Sequence, residues 1–308
     1  MTYMPYGADF QLLCGLEVVL PTGELVRTGM GAIPDNKSWH LYRRGLGPSF
    51  GEMFAQSNFG IVVKAGVWLQ RKPEAYVSVN LSVGQDADFE AAVDALRELR
   101  LAKVIEGVPA LYAALTAAPQ LIDAQVDFDL SRPLTDEELQ AYADETGVGI
   151  WAGRTALWGT KAIVEAKLEA IRRVWEAIPS GRVLASKVYA PADYPDITLS
   201  TEQVQAGIPT LQLIEAQPPW LGHIGFSPIM PLQGSEVRFV MEQIRTRLRE
   251  DGLNFLGGVF AFNERTACIV TGIPFDVRDE AQTRQAYASA KRLVQEVGAL
   301  GYGEYRAH

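Results

Sequence analysis

The sequence predicts an α+β protein in which helices cover one face of an antiparallel sheet. Stretches with β-branched or alternating apolar residues recur along the chain, and after Pro73 stretches with apolar residues at helical spacing separate them. The 308 residues are 48% hydrophobic, which suffices for about two domains. Because the pattern changes at Pro73, we place the domain boundary between residues 73 and 74.

Before the boundary, the sequence predicts three strands and one long loop. Residues 17–20 and 24–27 form two short strands, which the turn residues Pro21-Thr22-Gly23 join. Residues 30–50 are rich in Gly, Pro, Asn and Asp, which predicts a surface loop, and loops of this length are often functional. The apolar run at 61–69 predicts the third strand.

After the boundary, strands and helices alternate. The helix at 86–103 follows an aspartate cap, and the helix at 135–147 has Thr135 as its N-cap and an acidic first turn. The other predicted helices are 160–179, 235–252 and 279–301, and the predicted strands are 76–83, 149–159 and a pair within 255–276 that turns at Asn263-Glu264-Arg265.

Composition and missing motifs exclude several classes of protein. The net charge is −9 and no Lys/Arg run occurs, which argues against nucleic-acid binding. No run of about 18 apolar residues and no signal peptide is found, so neither membrane insertion nor export is expected. Cys14 and Cys268 have no CxxC partner, which predicts free thiols and a cytoplasmic location. The three histidines lack metal-ligand spacing, and no dinucleotide, Walker, GxSxG or HExxH motif is present.

Three stretches remain as candidate sites. In LGHIGFSPIMP, His223 lies between Gly222 and Gly225, where a ligand could approach the backbone closely. An isolated histidine is weak evidence, so a hydrogen-bonded residue at a strand edge is the favoured interpretation of the sequence alone.

The other two stretches are GYGEYRAH and FAQSNFGIV. Tyr305 beside Arg306 could hold a phenolate or a carboxylate, because a guanidinium stabilises an anion, and the pair could equally cap the last strand. Ser57 and Asn58 precede a turn that can present backbone groups to a ligand, although a plain entry into a strand is the simpler interpretation.

Five sequence blocks together resemble one family. They are PYGADF, GLEVVLPTGELVRTGMGAIP, GLGPSFGEMFAQSNFGIVVKAGVWL, GHIGFSPI and GYGEYRAH. They are similar, in the same order, to the vanillyl-alcohol oxidase and p-cresol methylhydroxylase (4-cresol dehydrogenase) flavoproteins. GHIGFSPI resembles the eugenol and vanillyl-alcohol oxidase branch, whereas FNERTAC at 262–268 is closer to the cresol branch, which has a tyrosine at the place of His223.

The resemblance implies a domain organisation. Residues 1–73 correspond to the C-terminal part of an FAD-binding domain, 74–302 to a substrate-binding cap domain, and 303–308 to the start of the return to the FAD domain. The family continues beyond both ends of these blocks. We therefore expect a fragment that lacks the N-terminal flavin-binding half and the extreme C-terminus, and that is inactive by itself.

The resemblance also implies site residues and a cofactor. His223 matches the histidine that binds the 8α-methyl group of FAD covalently, and Tyr305 and Arg306 match the pair that binds the phenolate oxygen of the substrate. Gly225 would line the pocket near the substrate ring. The residues expected to contact FAD, largely through the backbone, are Ser57, Asn58, Gly60, Ile61 and Val62.

The sequence departs from the family in two places. A glutamate that some relatives carry a dozen residues before the flavin histidine has Thr210 or Leu211 near its place, and Glu215 is shifted, so the role of Glu215 is open. The REMHH stretch of the oxidase branch is replaced by NERTA at 263–267.

The expected function is hydride transfer to FAD from the benzylic or allylic carbon of a 4-hydroxyphenyl substrate. Oxygen or a cytochrome c would accept the electrons, and the full-length protein would be a homodimer without nucleic-acid or membrane partners. A glycolate- or lactate-type oxidase, in which Arg306 holds a carboxylate, is an alternative within the same flavin superfamily. A non-catalytic cap or dimerisation module is the alternative outside enzymes.

Overall fold

The computed structural model describes residues 12–45, 47–55, 57–121, 132–215 and 218–305. The chain forms two compact units that divide between Lys72 and Pro73. The assignment of these units as the end of a flavin domain and as a cap domain, with 303–308 returning to the flavin domain, stays a prediction.

The first unit contains a three-stranded antiparallel sheet in the order β2-β1-β3. Its strands are β1 (Leu13–Val19), β2 (Leu25–Arg27) and β3 (Ile61–Val67). Gly23 has a φ of 83°, which explains why a glycine ends the predicted turn between β1 and β2. The predicted loop is confirmed as mostly irregular, with 3-10 turns at Gly29–Ala32 and Gly51–Phe54 near its two ends.

The central strand of this small sheet and its edge strand β3 differ in burial. Cys14, Leu16 and Val18 of the central strand β1 are buried. On the edge strand β3, the side chains of Ile61 and Val63 are 71% and 56% exposed. An edge strand with exposed apolar side chains and an unpaired row of backbone groups is a site for association with another chain.

The second unit contains an eight-stranded sheet whose neighbouring strands are all antiparallel. The order is β7-β4-β6-β5-β10-β11-β8, and β9 also pairs with β11. The strands are β4 (Ala75–Val83), β5 (Ala110–Ala113), β6 (Trp151–Gly159), β7 (Gly181–Tyr189), β8 (Leu221–Phe226), β9 (Ile229–Pro231), β10 (Leu256–Ala261) and β11 (Thr266–Asp276).

Eight helices of the described part of this unit lie between or after these strands. They are α1 (Phe89–Leu101), α2 (Ala114–Leu121), α3 (Asp136–Thr146), α4 (Lys161–Trp175), α5 (Ser200–Ala206), α6 (Gln212–Glu215), α7 (Gly234–Glu250) and α8 (Glu280–Ala299). None of the helices in the described ranges is long and apolar enough to cross a membrane.

Helix α3 begins as its sequence predicts. The Thr135 hydroxyl accepts the backbone N–H of Glu138, and the Glu138 carboxylate accepts the N–H of Thr135, which completes a capping box. The Glu138 carboxylate also binds Arg132, and these contacts lower its pKa to about 2. Helix α1 has an aspartate, Asp88, as its N-cap residue, as predicted, but the Asp88 side chain makes no capping hydrogen bond. The Asp86 carboxylate binds Trp151 and Arg238, and the Asp88 carboxylate accepts two hydrogen bonds from Ser180, so both side chains serve tertiary contacts.

Four long helices, α1, α4, α7 and α8, cover one face of the large sheet. The main apolar core lies between them and the strands, and members of it are Val79, Leu81, Leu96, Ile171, Val240, Val259, Ile273 and Leu293, each buried. We call the opposite side of the sheet the far face. At the β4–β6–β7 end, α5 and the segment before it pack on the far face through a smaller cluster that contains Tyr76, Trp158 and Tyr189. The predicted α+β class is confirmed.

The exposed edge of β3 generates a prediction. Val63→Lys adds a second charge next to Lys64 in the middle of the edge strand β3 and should reduce self-association of the 308-residue chain, because edge charges oppose strand pairing. Sedimentation velocity at several protein concentrations measures the effect. Leu101→Lys is the matched control, since Leu101 is 48% exposed but lies on a helix. Equal effects of both substitutions would show that β3 has no special part in association.

Candidate functional site

Strand β8 carries His223 and Gly225 on the far face. Successive side chains of a strand point to opposite faces, and Phe226 is 1% exposed and Ile224 packs against the main core. His223 and Gly225 therefore point away from the helices, and the His223 side chain is exposed. An exposed imidazole on a fixed strand can be reached by a planar ligand that lies on this face.

The neighbouring strand β11 leaves space beside these two residues. In the register of the pair, Gly225 lies opposite Gly272 and His223 lies opposite Pro274. A Cβ atom added to Gly272 would meet no atom within 4 Å, and one added to Gly225 would meet only the Thr271 carbonyl oxygen, at 3.9 Å. The two glycines thus form a strip without side chains next to His223.

The segment Gly303–Tyr305 pairs with the residues that follow β8. The N–H of Ile229 donates to the Gly303 carbonyl at 2.9 Å, and the N–H of Tyr305 lies 3.4 Å from the Ser227 carbonyl oxygen. Pro228 and Glu304 face each other in this short antiparallel bridge. The two stretches that were singled out in the sequence, around His223 and around Tyr305, are therefore brought together.

The ring of Tyr305 lies at the far face of the sheet. It packs edge-to-face on Phe262, with ring centroids 5.6 Å apart and an interplanar angle of 88°. Phe262 packs against a small far-face cluster that contains Phe260. Phe260 pairs with Cys268, which is an even number of residues from Gly272, so it shares a face with Gly225. Tyr305 and His223 thus belong to one side of one sheet.

An aromatic row extends this side of the sheet toward β5 and β6. Tyr112 packs edge-to-face on Phe260, with centroids 5.4 Å apart. The Arg154 guanidinium donates a hydrogen bond of 2.7 Å to the Tyr112 hydroxyl. The sequence analysis missed Tyr112, Phe260 and Phe262 as site residues. The spacing of Phe260 and Phe262 by two residues was the available signal, since it places both on one face of a strand.

The residues predicted to contact FAD lie together in the first unit. Ile61 and Val62 begin β3, and they pair with Val19 and Val18 of β1. Gly60 precedes them, and a Cβ there would lie 2.6 Å from the Val18 side chain, so only glycine fits. The Ser57 hydroxyl accepts the Phe59 N–H at 3.5 Å, and Asn58 is exposed. The contact of these residues with FAD stays a prediction.

Arg306 and Glu215 are the two remaining positions that the sequence analysis considered. Arg306 lies outside the described residues. Glu215 ends the short helix α6, where its N–H donates to the Leu211 carbonyl and its side chain is exposed. No described contact gives Glu215 a role in the site.

The NERTA stretch forms the turn between β10 and β11. The Asn263 side-chain oxygen accepts the N–H groups of Arg265 and Thr266, which fixes the turn. The pKa of Glu264 lies below its ordinary value because its own backbone N–H donates to the carboxylate, and nearby cations, Lys103 first, add to this effect. Among the residues that the structure describes, no group of three or more potential ligands could hold a metal ion.

The chain was compared with known proteins. No family model matches it. It is 29% identical, over 99% of its length, to the "4-cresol dehydrogenase [hydroxylating] flavoprotein subunit" of Pseudomonas putida. The chain is a homologue of that flavoprotein subunit. It spans 58% of the length of the 4-cresol dehydrogenase subunit.

Two solved structures support the same relationship. The fold matches p-cresol methylhydroxylase with substrate bound, with a TM-score of 0.86 and 28% identity over the whole chain. It also matches the isoeugenol complex of 4-ethylphenol oxidase from Gulosibacter chungangensis, with a TM-score of 0.87 and 27% identity over 99% of the chain. The chain covers 60% of each of these two structures. The resemblance to the p-cresol methylhydroxylase flavoproteins is therefore confirmed in both sequence and fold.

The glycine strip can be tested through stability. Gly225→Ala should leave the free energy of unfolding nearly unchanged, since the added Cβ has room. Gly258→Ala should destabilise the chain by about 1–3 kcal/mol, because its Cβ would lie 2.7 Å from the Leu111 carbonyl oxygen on β5. Urea denaturation of both variants measures the difference. A Gly225 variant as unstable as the Gly258 variant would show that the strip is closed.

Proposed function

We propose that the chain belongs to an FAD-dependent oxidoreductase that removes a hydride from the benzylic or allylic carbon of a 4-hydroxyphenyl compound. The observation that carries this proposal is the pairing of Gly303–Tyr305 with the continuation of β8. It brings a phenol-binding candidate, Tyr305, to the same side of the sheet as His223, the candidate for flavin attachment. The phenol-binding residue and the residue for flavin attachment both need to lie close to the same planar cofactor.

The names of the related proteins support the substrate class. One relative is a 4-cresol dehydrogenase and one structural neighbour is a 4-ethylphenol oxidase, and both names denote 4-alkylphenols. An aromatic substrate also suits the row formed by Tyr112, Phe260, Phe262 and Tyr305, because edge-to-face contacts stabilise a further aromatic ring.

The far face also fits FAD. The strip at Gly225 and Gly272 has no Cβ atoms that would hold a planar ring away from the backbone. The exposed imidazole of His223 lies at the same strand pair, where its ring nitrogen is free to form a covalent bond to the cofactor. FAD, when bound, supplies the hydride acceptor. For the first unit by itself, the residues at the start of β3, Gly60, Ile61 and Val62, stay the proposed contacts with FAD.

The chain's own residues would promote ionisation of the substrate. Tyr305 donates a hydrogen bond to the phenolate oxygen, and Arg306 adds a positive charge, so the phenol binds as its anion. Electron density from the phenolate oxygen then reaches the carbon para to it, which allows a hydride to leave the benzylic position. The product is a quinone methide, which adds water or loses a proton. Oxygen or a cytochrome c would be the final acceptor of the two electrons that leave the substrate with the hydride.

The assignment of His223 predicts that flavin stays attached to the polypeptide. In the flavin-loaded protein that contains this segment, flavin should precipitate with the protein in acid and remain after denaturation. His223→Ala should release it on denaturation, because no other side chain holds the 8α-methyl group. His40→Ala is the control, since His40 is the other histidine of the described ranges, is also exposed, and is not assigned a bond to flavin. Flavin that washes freely from the unsubstituted protein would contradict the assignment.

The assignment of Tyr305 predicts a shift in the pKa of a bound phenol. Binding of 4-hydroxybenzaldehyde, followed by its absorbance over a pH series, should show the anion well below its solution pKa. A charge-assisted hydrogen bond contributes about 1.5–3 kcal/mol, or about one to two pKa units. Tyr305→Phe should remove much of that shift while keeping the contact with Phe262. Arg306→Lys should keep part of it, because it retains the charge but not the planar fork.

The same titration helps to distinguish an enzyme that oxidises phenols from one that oxidises 2-hydroxy acids. Tyr287→Phe is the control, because Tyr287 is 62% exposed and lies on α8. It should leave the bound ligand ionised. If phenols bind only in the neutral form while 2-hydroxy acids reduce the flavin, the carboxylate function of Arg306 replaces the phenolate function.

A further inference from the structure

The hydrogen bond that the Ser227 backbone N–H donates departs from the pattern of a regular antiparallel ladder. In such a ladder, Ser227 and Tyr305 would exchange two hydrogen bonds, since both flank the facing pair of Pro228 and Glu304. Here the Tyr305 N–H points to the Ser227 carbonyl, but the Ser227 N–H donates to Oε1 of Glu304 at 2.9 Å. A side chain thus takes the place of the Tyr305 carbonyl.

The use of a side-chain acceptor in place of the ladder carbonyl matters for stability because Ser227 is only 4% exposed. A buried backbone N–H without an acceptor costs about 1–3 kcal/mol. The Glu304 carboxylate supplies the acceptor, and a charged acceptor makes a stronger hydrogen bond than a carbonyl does. The contact also ties the residue before Tyr305 to the residue directly after β8.

Phe262 restrains Tyr305 from a second side. Its edge-to-face contact fixes the orientation of the phenol ring, while the Glu304 contact fixes the backbone that carries the ring. The two contacts come from different elements, the turn after β10 and the segment after β8. Together the two contacts restrain the Tyr305 ring and the backbone that carries it relative to β8.

We propose that Glu304 is a positioning residue that sets the place of Tyr305 relative to the strand of His223. The readout through a bound phenol rests on the proposed function. Without the carboxylate, the buried Ser227 N–H has one acceptor within the ladder, the Tyr305 carbonyl. Formation of that bond would shift the backbone of Tyr305 and with it the ring. The Glu304 contact thus prevents the regular ladder and holds Tyr305 for the phenol.

The test compares Glu304→Ala with Glu304→Gln in the flavin-loaded protein. The glutamine oxygen can still accept the Ser227 N–H, whereas alanine cannot. We expect Glu304→Ala to weaken binding of the 4-hydroxybenzaldehyde anion roughly tenfold and to lower the shift of its pKa by about one unit. Glu304→Gln should stay close to the unsubstituted protein. Glu236→Ala, which removes the acceptor of the Tyr302 hydroxyl directly before the Gly303–Tyr305 segment, should leave the ligand ionised.

A second measurement is independent of any ligand. Hydrogen exchange of the Ser227 amide should be slow in the unsubstituted protein and in Glu304→Gln. In Glu304→Ala the exchange at Ser227 and at Tyr305 should both change, since the ladder rearranges. An unchanged phenol pKa in Glu304→Ala, or an equal loss in alanine and glutamine variants, overturns the proposal.

Failure of the proposed function gives a different result. The unsubstituted protein would then bind 4-hydroxybenzaldehyde only as the neutral phenol, with the Ser227 amide still protected by Glu304. The exchange data would in that case support the positioning of Tyr305 and the titration would reject the phenolate role. Rapid exchange of Ser227 in the unsubstituted chain would instead reject the Glu304 contact itself.

Discussion

The antiparallel pairing of β8 with β11 is the constraint on which the rest of the site depends. Six residue pairs, from Thr271–Phe226 to Asp276–Leu221, fix which side chains of β8 reach the core. A shift of one residue would move Phe226 to the far face and His223 into the core, which burial of Phe226 forbids. The same register places Gly225 beside Gly272. The residues directly after β8 then pair with the Gly303–Tyr305 segment. The packing of Phe226 and Ile224 against the core therefore fixes the face of the sheet on which His223 and Gly225 lie.

Sequence patterns correctly predicted the structural features whose determining residues lie close together in the chain. The capping box at Thr135 and Glu138 is confirmed, because both partners lie within one turn of helix. An aspartate does occupy the N-cap of α1, but it makes no capping hydrogen bond, since the carboxylates of Asp86 and Asp88 bind Trp151, Arg238 and Ser180 instead. These partners lie 65 to 152 residues away in the chain, beyond any local pattern. Tertiary contacts decided the use of those carboxylates.

The candidate site shows the same division between local and distant information. Similarity of sequence blocks indicated His223 and Tyr305, but their common side of the sheet depends on pairs that are separated by up to 78 residues. Glu304 and Gly272 have roles only through those pairs, so the sequence analysis could not find them, whereas Phe262 had a local signal in its spacing from Phe260. The contacts of Ser57 to Val62 with a cofactor and the covalent role of His223 stay predictions, as does the phenolate role of Arg306.

The central claim is that the far face between β8 and the Gly303–Tyr305 segment receives the phenol. A crystal structure of the flavin-loaded protein with 4-hydroxybenzaldehyde tests it most directly. The account predicts a phenolic oxygen within hydrogen-bond distance of the Tyr305 hydroxyl and a cofactor ring over Gly225 and Gly272, joined to His223. A ligand bound on the helix side of the sheet, or a phenolic oxygen directed away from Tyr305, would contradict it.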